Sequence, residues 1–141
     1  MRTMALIMIV DDEPHIQLAL RQIVESAGHR VIEAGNGQDA IDLFGEFRPD
    51  LVITDVFMPH TDGIEAIRAI RHSAPNAKII AISGAYVGDG WNYLDSVVVL
   101  GANVALQKPF TCSQLVSAID RLLGGRQPLE SGVPEAVATA C

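Results

Sequence analysis

Short apolar segments alternate with helix-like segments along the chain, and this alternation constrains the fold more than any other feature. The apolar segments are five to seven residues long and mostly continuous, as in strands buried on both faces. The predicted strands are residues 5–10, 30–34, 50–55, 77–83 and 103–107. Strands that alternate with helices form a parallel sheet covered on both faces. The sequence therefore predicts an α/β fold, a doubly wound five-stranded parallel sheet.

The segments between and after the strands have helical spacing and helix end signals. Pro14 suits the first turn of a helix and Gly28 its end, and Thr111 suits the cap of the last helix. The predicted helices are residues 14–28, 38–47, 62–74, 91–101 and 111–125, although "VVV" in the fourth also suits a strand. We predict one domain over residues 1–124 and a flexible C-terminal tail over residues 125–141, which has no sustained period.

Composition excludes several classes of partner. The 141-residue chain carries a net charge of −7 and has no cluster of Lys and Arg, so direct binding to nucleic acid or to an anionic membrane is not expected. Its two cysteines, Cys112 and Cys141, have no metal-site spacing and indicate no disulfide framework. The apolar opening meets "DDE" with no cleavage site, and no segment is long enough to span a bilayer. We predict a cytoplasmic protein.

Polar side chains follow four of the predicted strands. Asp11 and Asp12 end the first strand, Asp55 the third and Ser83 the fourth, and the fifth runs into Lys108. In a sheet of order 2-1-3-4-5, the first and third strands are neighbours and their three acids meet at the edge where ligands bind. Clustered carboxylates repel one another unless a cation joins them, and oxygen ligands favour Mg²⁺. The cation, the ammonium and the hydroxyl could together stabilise a phosphoryl group on Asp55.

Four motifs in this order resemble the receiver domain of two-component response regulators. They are "IVDDEP", "ITDVFMPHTDG", "AISGA" and "LQKPF", and the resemblance covers residues 4 to about 124. It implies a flavodoxin-like sheet of order 2-1-3-4-5, and the predicted order owes part of its basis to this resemblance. It also implies that Asp12, Asp55 and the backbone carbonyl of Phe57 bind Mg²⁺, with Asp11 acting mainly through water.

The resemblance further implies a phosphorelay function. Asp55 would accept a phosphoryl group from a phosphohistidine on a sensor histidine kinase or a histidine phosphotransfer protein. Ser83 and Lys108 would contact the phosphoryl oxygens, and a cis peptide bond would precede Pro109. Because only a short tail follows the domain, we expect a stand-alone regulator whose phosphorylation switches binding to a downstream protein, and pairing of two copies stays open.

Two positions depart from the family pattern. Ala105 stands where receivers commonly carry an aromatic switch residue, and we hypothesise that Tyr86, Trp91 or Tyr93 replaces it. Receivers tune the loss of the phosphoryl group through positions occupied here by Phe57 and Ala85, neither of which can orient water. The resemblance therefore implies slow self-dephosphorylation and no turnover enzyme.

Other readings of these residues stay open. An aspartyl-phosphate hydrolase of similar fold needs a second acid where Phe57 stands, whereas a phosphorylation-independent adaptor would be compatible with Ala105. Asp12 could instead cap the first helix, and Asp62 the third. The scattered histidines are predicted to lie at the surface. They are His15, His29, His60 and His72.

Overall fold

The computed structural model describes residues 4–56, 63–83, 101–107 and 110–124. The strands are β1 (Leu6–Val10), β2 (Arg30–Ala34), β3 (Leu51–Asp55), β4 (Ile79–Ser83) and β5 (Val104–Gln107). The helices are α1 (Pro14–Ser26), α2 (Gly37–Phe47), α3 (Gly63–Ser73) and α4 (Cys112–Leu122). The helix predicted at 91–101 and the tail at 125–141 lie outside the described residues. None of the described helices combines the length and the apolar character that a membrane span requires.

The five strands form one parallel sheet in the order β2-β1-β3-β4-β5, which confirms the predicted topology. The first and third strands are therefore hydrogen-bonded neighbours at the point where the winding direction reverses. Val10 pairs with Thr54 in this ladder, so Asp11 and Asp55 follow at the same level of the sheet. This register brings the acids of two distant motifs to one edge.

Two apolar layers cover the sheet, one on each face. Alternate side chains of a strand point to opposite faces, so each buried strand contributes to both layers. One layer includes Met8, Val52 and Ile79 with Phe44 of α2 and Ile67 of α3. The other joins strand residues to α1 and α4, and its largest fully buried members are Ile7, Ile9, Leu51, Ile53, Ile80, Ile82, Leu115 and Ile119. The near-continuous apolar strands of the sequence are thus explained by burial on both sides.

Some predicted strands begin one or two residues too early, and at two of these starts the backbone N–H makes a hydrogen bond outside the ladder. Ala5 donates its N–H to Nδ1 of His29 (3.1 Å), and β1 begins one residue later. Ala77 donates to the carbonyl of Ala74 (2.9 Å) in the turn after α3, and β4 begins only at Ile79. The surface position predicted for His29 is wrong, since this residue is 5% exposed. His15 and His72 are exposed as predicted, and His60 lies outside the described residues.

The helix ends follow the sequence signals in most places. Thr111 caps α4 in a reciprocal capping box with Gln114, as predicted. Gly28 follows α1 with φ +97°. Arg48 ends α2 in the left-handed region (φ 49°, ψ 60°), a conformation that glycine adopts without strain.

Arg71 fastens the end of α3 to the segment before β5. Its guanidinium donates to the carbonyl oxygen of Gly101 from Nε (3.0 Å) and Nη2 (2.7 Å), and Nη2 also donates to Oδ1 of Asn103 (2.7 Å). The same Asn103 oxygen accepts the N–H of Ile79 at the start of β4 (2.8 Å). This network fixes the amino ends of β4 and β5 against α3, at the edge of the sheet opposite to the acids.

Candidate functional site

The first acidic pair lies where β1 ends. Asp11 is 2% exposed, and its N–H donates to the carbonyl of Ala34 (3.1 Å), which extends the ladder with β2 by one residue. Its Oδ1 accepts the N–H of Glu13 (2.9 Å), which holds the carboxylate at the turn into α1. Asp12 is the most exposed of the three acids.

Gln17 of α1 ties the ends of β1 and β2 together. Its Nε2 donates to the carbonyl oxygens of Asp11 (3.3 Å) and Ala34 (3.0 Å). Both carbonyls lie at ends of strands, and that of Ala34 also accepts the N–H of Asp11. Gln17 therefore stabilises the backbone that carries the first acidic pair.

The third acid ends β3 and is 8% exposed. The N–H of the following residue, Val56, donates to the carbonyl of Ile82 in β4 (3.0 Å), so the chain stays in the sheet past Asp55. The hydroxyl of Thr54 donates to the carbonyl oxygen of Asp55 (3.0 Å), and the N–H of Gly63 donates to the carbonyl of Val56 (3.2 Å). The amino end of α3 thus rests directly on the end of β3.

The three carboxylates meet as the strand order predicts. One oxygen each from Asp11, Asp12 and Asp55 can be chosen so that all three lie within 4.8 Å of one another. Oxygen ligands of an octahedral Mg²⁺ ion at about 2.1 Å stand about 3.0 to 4.2 Å apart. The cluster is therefore close to the size that a single magnesium ion requires. Hard oxygen donors also match the ligands that Mg²⁺ prefers over those of zinc or copper.

The other predicted site residues are described only in part. Ser83 is the last residue of β4, where it pairs with Gln107 of β5, so its backbone lies at the same edge as the acids. Lys108 follows Gln107 directly in the chain. Lys108, Phe57 and its carbonyl lie outside the described residues, as do Tyr86, Trp91, Tyr93 and the peptide before Pro109.

The alternative role of Asp12 as a helix cap is wrong. Glu13 is the N-cap residue of α1, and its own side chain makes no capping hydrogen bond. Asp12 is therefore not the cap at the start of α1, and it belongs to the acidic cluster. The proposed cap Asp62 lies outside the described residues.

Three residues that support the site were not singled out from the sequence. Gln17 and Thr54 are ordinary polar residues whose contacts appear only once the strands are in register. Gly63 carried a signal, because it closes the motif "ITDVFMPHTDG" beside a helix start. A glycine there indicates a close backbone approach, and the structure places that approach at Asp55.

Several known proteins are similar in sequence to this chain. Residues 7–120 match the family described as the response regulator receiver domain. The chemotaxis protein CheY of Thermotoga maritima is 36% identical over 117 residues, which cover 82% of this chain and 95% of that protein. The chemotaxis protein CheY of Bacillus subtilis is 34% identical over 118 residues, which cover 83% of this chain and 96% of that protein.

Solved structures of receiver domains have the same fold. A response regulator receiver domain protein from Clostridium thermocellum superposes with a TM-score of 0.78 at 28% identity, over 85% of this chain and 94% of that one. A two-component response regulator of the LuxR family from Aurantimonas sp. SI85-9A1 gives a TM-score of 0.79 at 30% identity, over 98% of this chain and 96% of that one. The chain belongs to the receiver-domain family of response regulators.

Proposed function

We propose that this receiver accepts a phosphoryl group on Asp55 from a phosphohistidine, in a reaction that depends on Mg²⁺. The observation that carries the proposal is the convergence of the three acids within 4.8 Å at the edge of the sheet. Three carboxylates repel one another, and two of these are buried, so the arrangement is costly without a bound cation. Asp11, Asp12 and Asp55 would hold the ion, together with the carbonyl of Phe57.

The side chains have distinct tasks in the transfer. A carboxylate oxygen of Asp55 attacks phosphorus as the bond from phosphorus to the donor imidazole breaks, and the imidazole keeps the bonding electrons and takes up a proton. Bound Mg²⁺ supplies charge neutralisation for the phosphoryl oxygens. Lys108 and Ser83 would contact the same oxygens, since both follow or end strands at this edge. The donor would be a sensor histidine kinase or a histidine phosphotransfer protein.

The phosphoryl group would act as a switch rather than as a product. It adds negative charge and new acceptor oxygens to a buried strand end, and thereby shifts the equilibrium between inactive and active conformations. The active conformation would then bind a downstream protein. Alignment with CheY proteins along nearly their full length supports regulation of a protein partner through the receiver itself. The chain would be modified stoichiometrically, without catalytic turnover.

Acetyl phosphate tests the proposal without a cognate kinase. Wild type, Asp55→Asn and Asp42→Asn proteins are incubated with acetyl phosphate and Mg²⁺ and examined by intact mass spectrometry. Asp42 is an exposed acid on α2, so its variant controls for the loss of one charge. We expect one added phosphoryl group on wild type and on Asp42→Asn, and none on Asp55→Asn or in the presence of EDTA. No modification of a wild type that binds Mg²⁺ would favour the phosphorylation-independent adaptor.

A further inference from the structure

Two residues outside the acidic cluster contact the peptide group that follows Asp55. Thr54 is 1% exposed, and its hydroxyl donates to the carbonyl oxygen of Asp55 at 3.0 Å. Its side chain points to the same face as Val52, which packs in the layer beneath α2 and α3. The side chain of Asp55 points to the opposite face, so Thr54 acts on the acid through its backbone.

Gly63 approaches the same carbonyl from the start of α3. A Cβ atom built at Gly63 would clash with the carbonyl oxygen of Asp55 and would lie 2.8 Å from Cα of Val56. Both neighbours are backbone atoms, so no flexible side chain could turn away to make room. The requirement at Gly63 is therefore for space beside the end of β3. A side chain here would push apart α3 and the end of β3.

The peptide between Asp55 and Val56 is consequently fixed on both sides. Its N–H donates to Ile82 of β4 (3.0 Å), while its carbonyl faces Thr54 and Gly63. The orientation of this peptide sets the direction of the Cα–Cβ bond of Asp55, and so the position of its carboxylate. We propose that Thr54 and Gly63 are positioning residues that hold the Asp55 carboxylate within reach of Asp11 and Asp12.

The effect on Mg²⁺ affinity follows from this geometry alone, whereas the effect on phosphoryl transfer rests on the proposed function. Residues that orient a metal ligand without touching the metal typically contribute about 10- to 100-fold to affinity. Both contacts act on one ligand of three, so we expect losses near the lower end of that range. The stability of the protein should depend on the buried methyl group of Thr54, whereas its Mg²⁺ affinity should depend on the hydroxyl group.

A pair of variants at Thr54 separates positioning from packing. Thr54→Val removes the hydroxyl and keeps the volume, whereas Thr54→Ser keeps the hydroxyl and loses a buried methyl group. Isothermal titration with MgCl₂ should show affinity about tenfold weaker for Thr54→Val and within about twofold of wild type for Thr54→Ser. Urea unfolding in EDTA should nevertheless show Thr54→Ser to be less stable than wild type. Wild-type affinity in Thr54→Val, or equal losses in both variants, would overturn the proposal.

The glycine is tested against a matched control on α2. Gly63→Ala should weaken Mg²⁺ binding at least about tenfold, whereas Gly45→Ala, where an added Cβ meets nothing within 4 Å, should leave it unchanged. Unchanged affinity in a folded Gly63→Ala protein overturns the role of Gly63, and if this variant does not fold the Thr54 pair decides. Acetyl phosphate labelling of the same proteins distinguishes the two proposals. If the Mg²⁺ affinities are as expected but wild type is not labelled, only the proposed function is contradicted. If wild type is labelled but Thr54→Val binds Mg²⁺ as tightly as wild type, only the positioning role is contradicted.

Discussion

Asp12 offers the most informative perturbation of the cluster, because it is the most exposed of the three acids and its replacement removes charge with little change in shape. Two unit charges 4.8 Å apart repel by about 0.9 kcal/mol in water and by about 3.5 kcal/mol at an effective dielectric constant of about 20. Asp12→Asn removes two such pairs. Because Asp12 is exposed to solvent, the repulsion energy per pair should lie nearer the value in water. Asp11 and Asp12 are adjacent in the chain, so part of their repulsion also exists in the unfolded protein. We expect Asp12→Asn to raise the free energy of unfolding by about 1–2 kcal/mol in EDTA.

Magnesium should reverse the order of stability. A ligand that binds only the folded protein stabilises it by about 1.4 kcal/mol at ten times its dissociation constant, and by more at higher concentration. Wild type should therefore gain stability steadily with MgCl₂, while Asp12→Asn, which has lost a ligand, should gain little. Asp12→Asn should therefore be the more stable protein without MgCl₂, and wild type should be the more stable protein at high MgCl₂.

Urea unfolding followed by circular dichroism, repeated over a series of MgCl₂ concentrations, measures both effects. Asp42→Asn controls for net charge, and its stability should stay within about 0.5 kcal/mol of wild type at every concentration. If Asp12→Asn is less stable than wild type in EDTA, or if both proteins respond equally to MgCl₂, the three acids do not repel one another in the way described.

Three further changes have expected outcomes of their own. Arg48→Gly should raise the free energy of unfolding by about 0.5–1 kcal/mol because glycine accepts the left-handed end of α2 without strain, whereas Arg48→Ala should bring no such gain in the same urea assay. Gln17→Leu should lower the free energy of unfolding by about 1–2 kcal/mol, since two hydrogen bonds to strand-end carbonyls disappear. Gln22→Leu on the exposed side of α1 should leave it nearly unchanged, and equal effects of the two variants would argue against a stabilising role of the Gln17 hydrogen bonds. Phosphorylated protein freed of acetyl phosphate should keep its phosphoryl group for minutes or longer in Mg²⁺, because neither Phe57 nor Ala85 can orient water, and a lifetime of seconds by mass spectrometry would contradict this.

The architecture could be predicted from the sequence because buried strands and their ends have recognisable residue patterns. Segments such as "LIMIV" are apolar at every position only when both faces of a strand are covered. Acids placed directly after two such segments indicate which edge of the sheet carries the site. The neighbouring positions of β1 and β3, partly inferred from family resemblance, then predict that Asp11 and Asp55 come together.

The supporting contacts could not be predicted because they depend on tertiary register. Nothing local indicates that Gln17 reaches two carbonyls from different strands, or that Arg71 joins α3 to Gly101 and Asn103. His29 gave no local sign of burial, since its partner Ala5 lies 24 residues away in the sequence. Asp12 was a plausible helix cap by composition, and only the backbone geometry at Glu13 excludes that role.

The position of the phosphoryl group on the chain shows directly whether Asp55 is the acceptor. Borohydride reduces an aspartyl phosphate to homoserine, so protein treated with acetyl phosphate and Mg²⁺ can be reduced, digested and sequenced by tandem mass spectrometry. We expect homoserine at position 55 in the presence of Mg²⁺, and no homoserine there when EDTA replaces Mg²⁺. Homoserine at another acid, or equal labelling of position 55 without Mg²⁺, would contradict the claim that the three acids form a magnesium-dependent phosphoryl acceptor site.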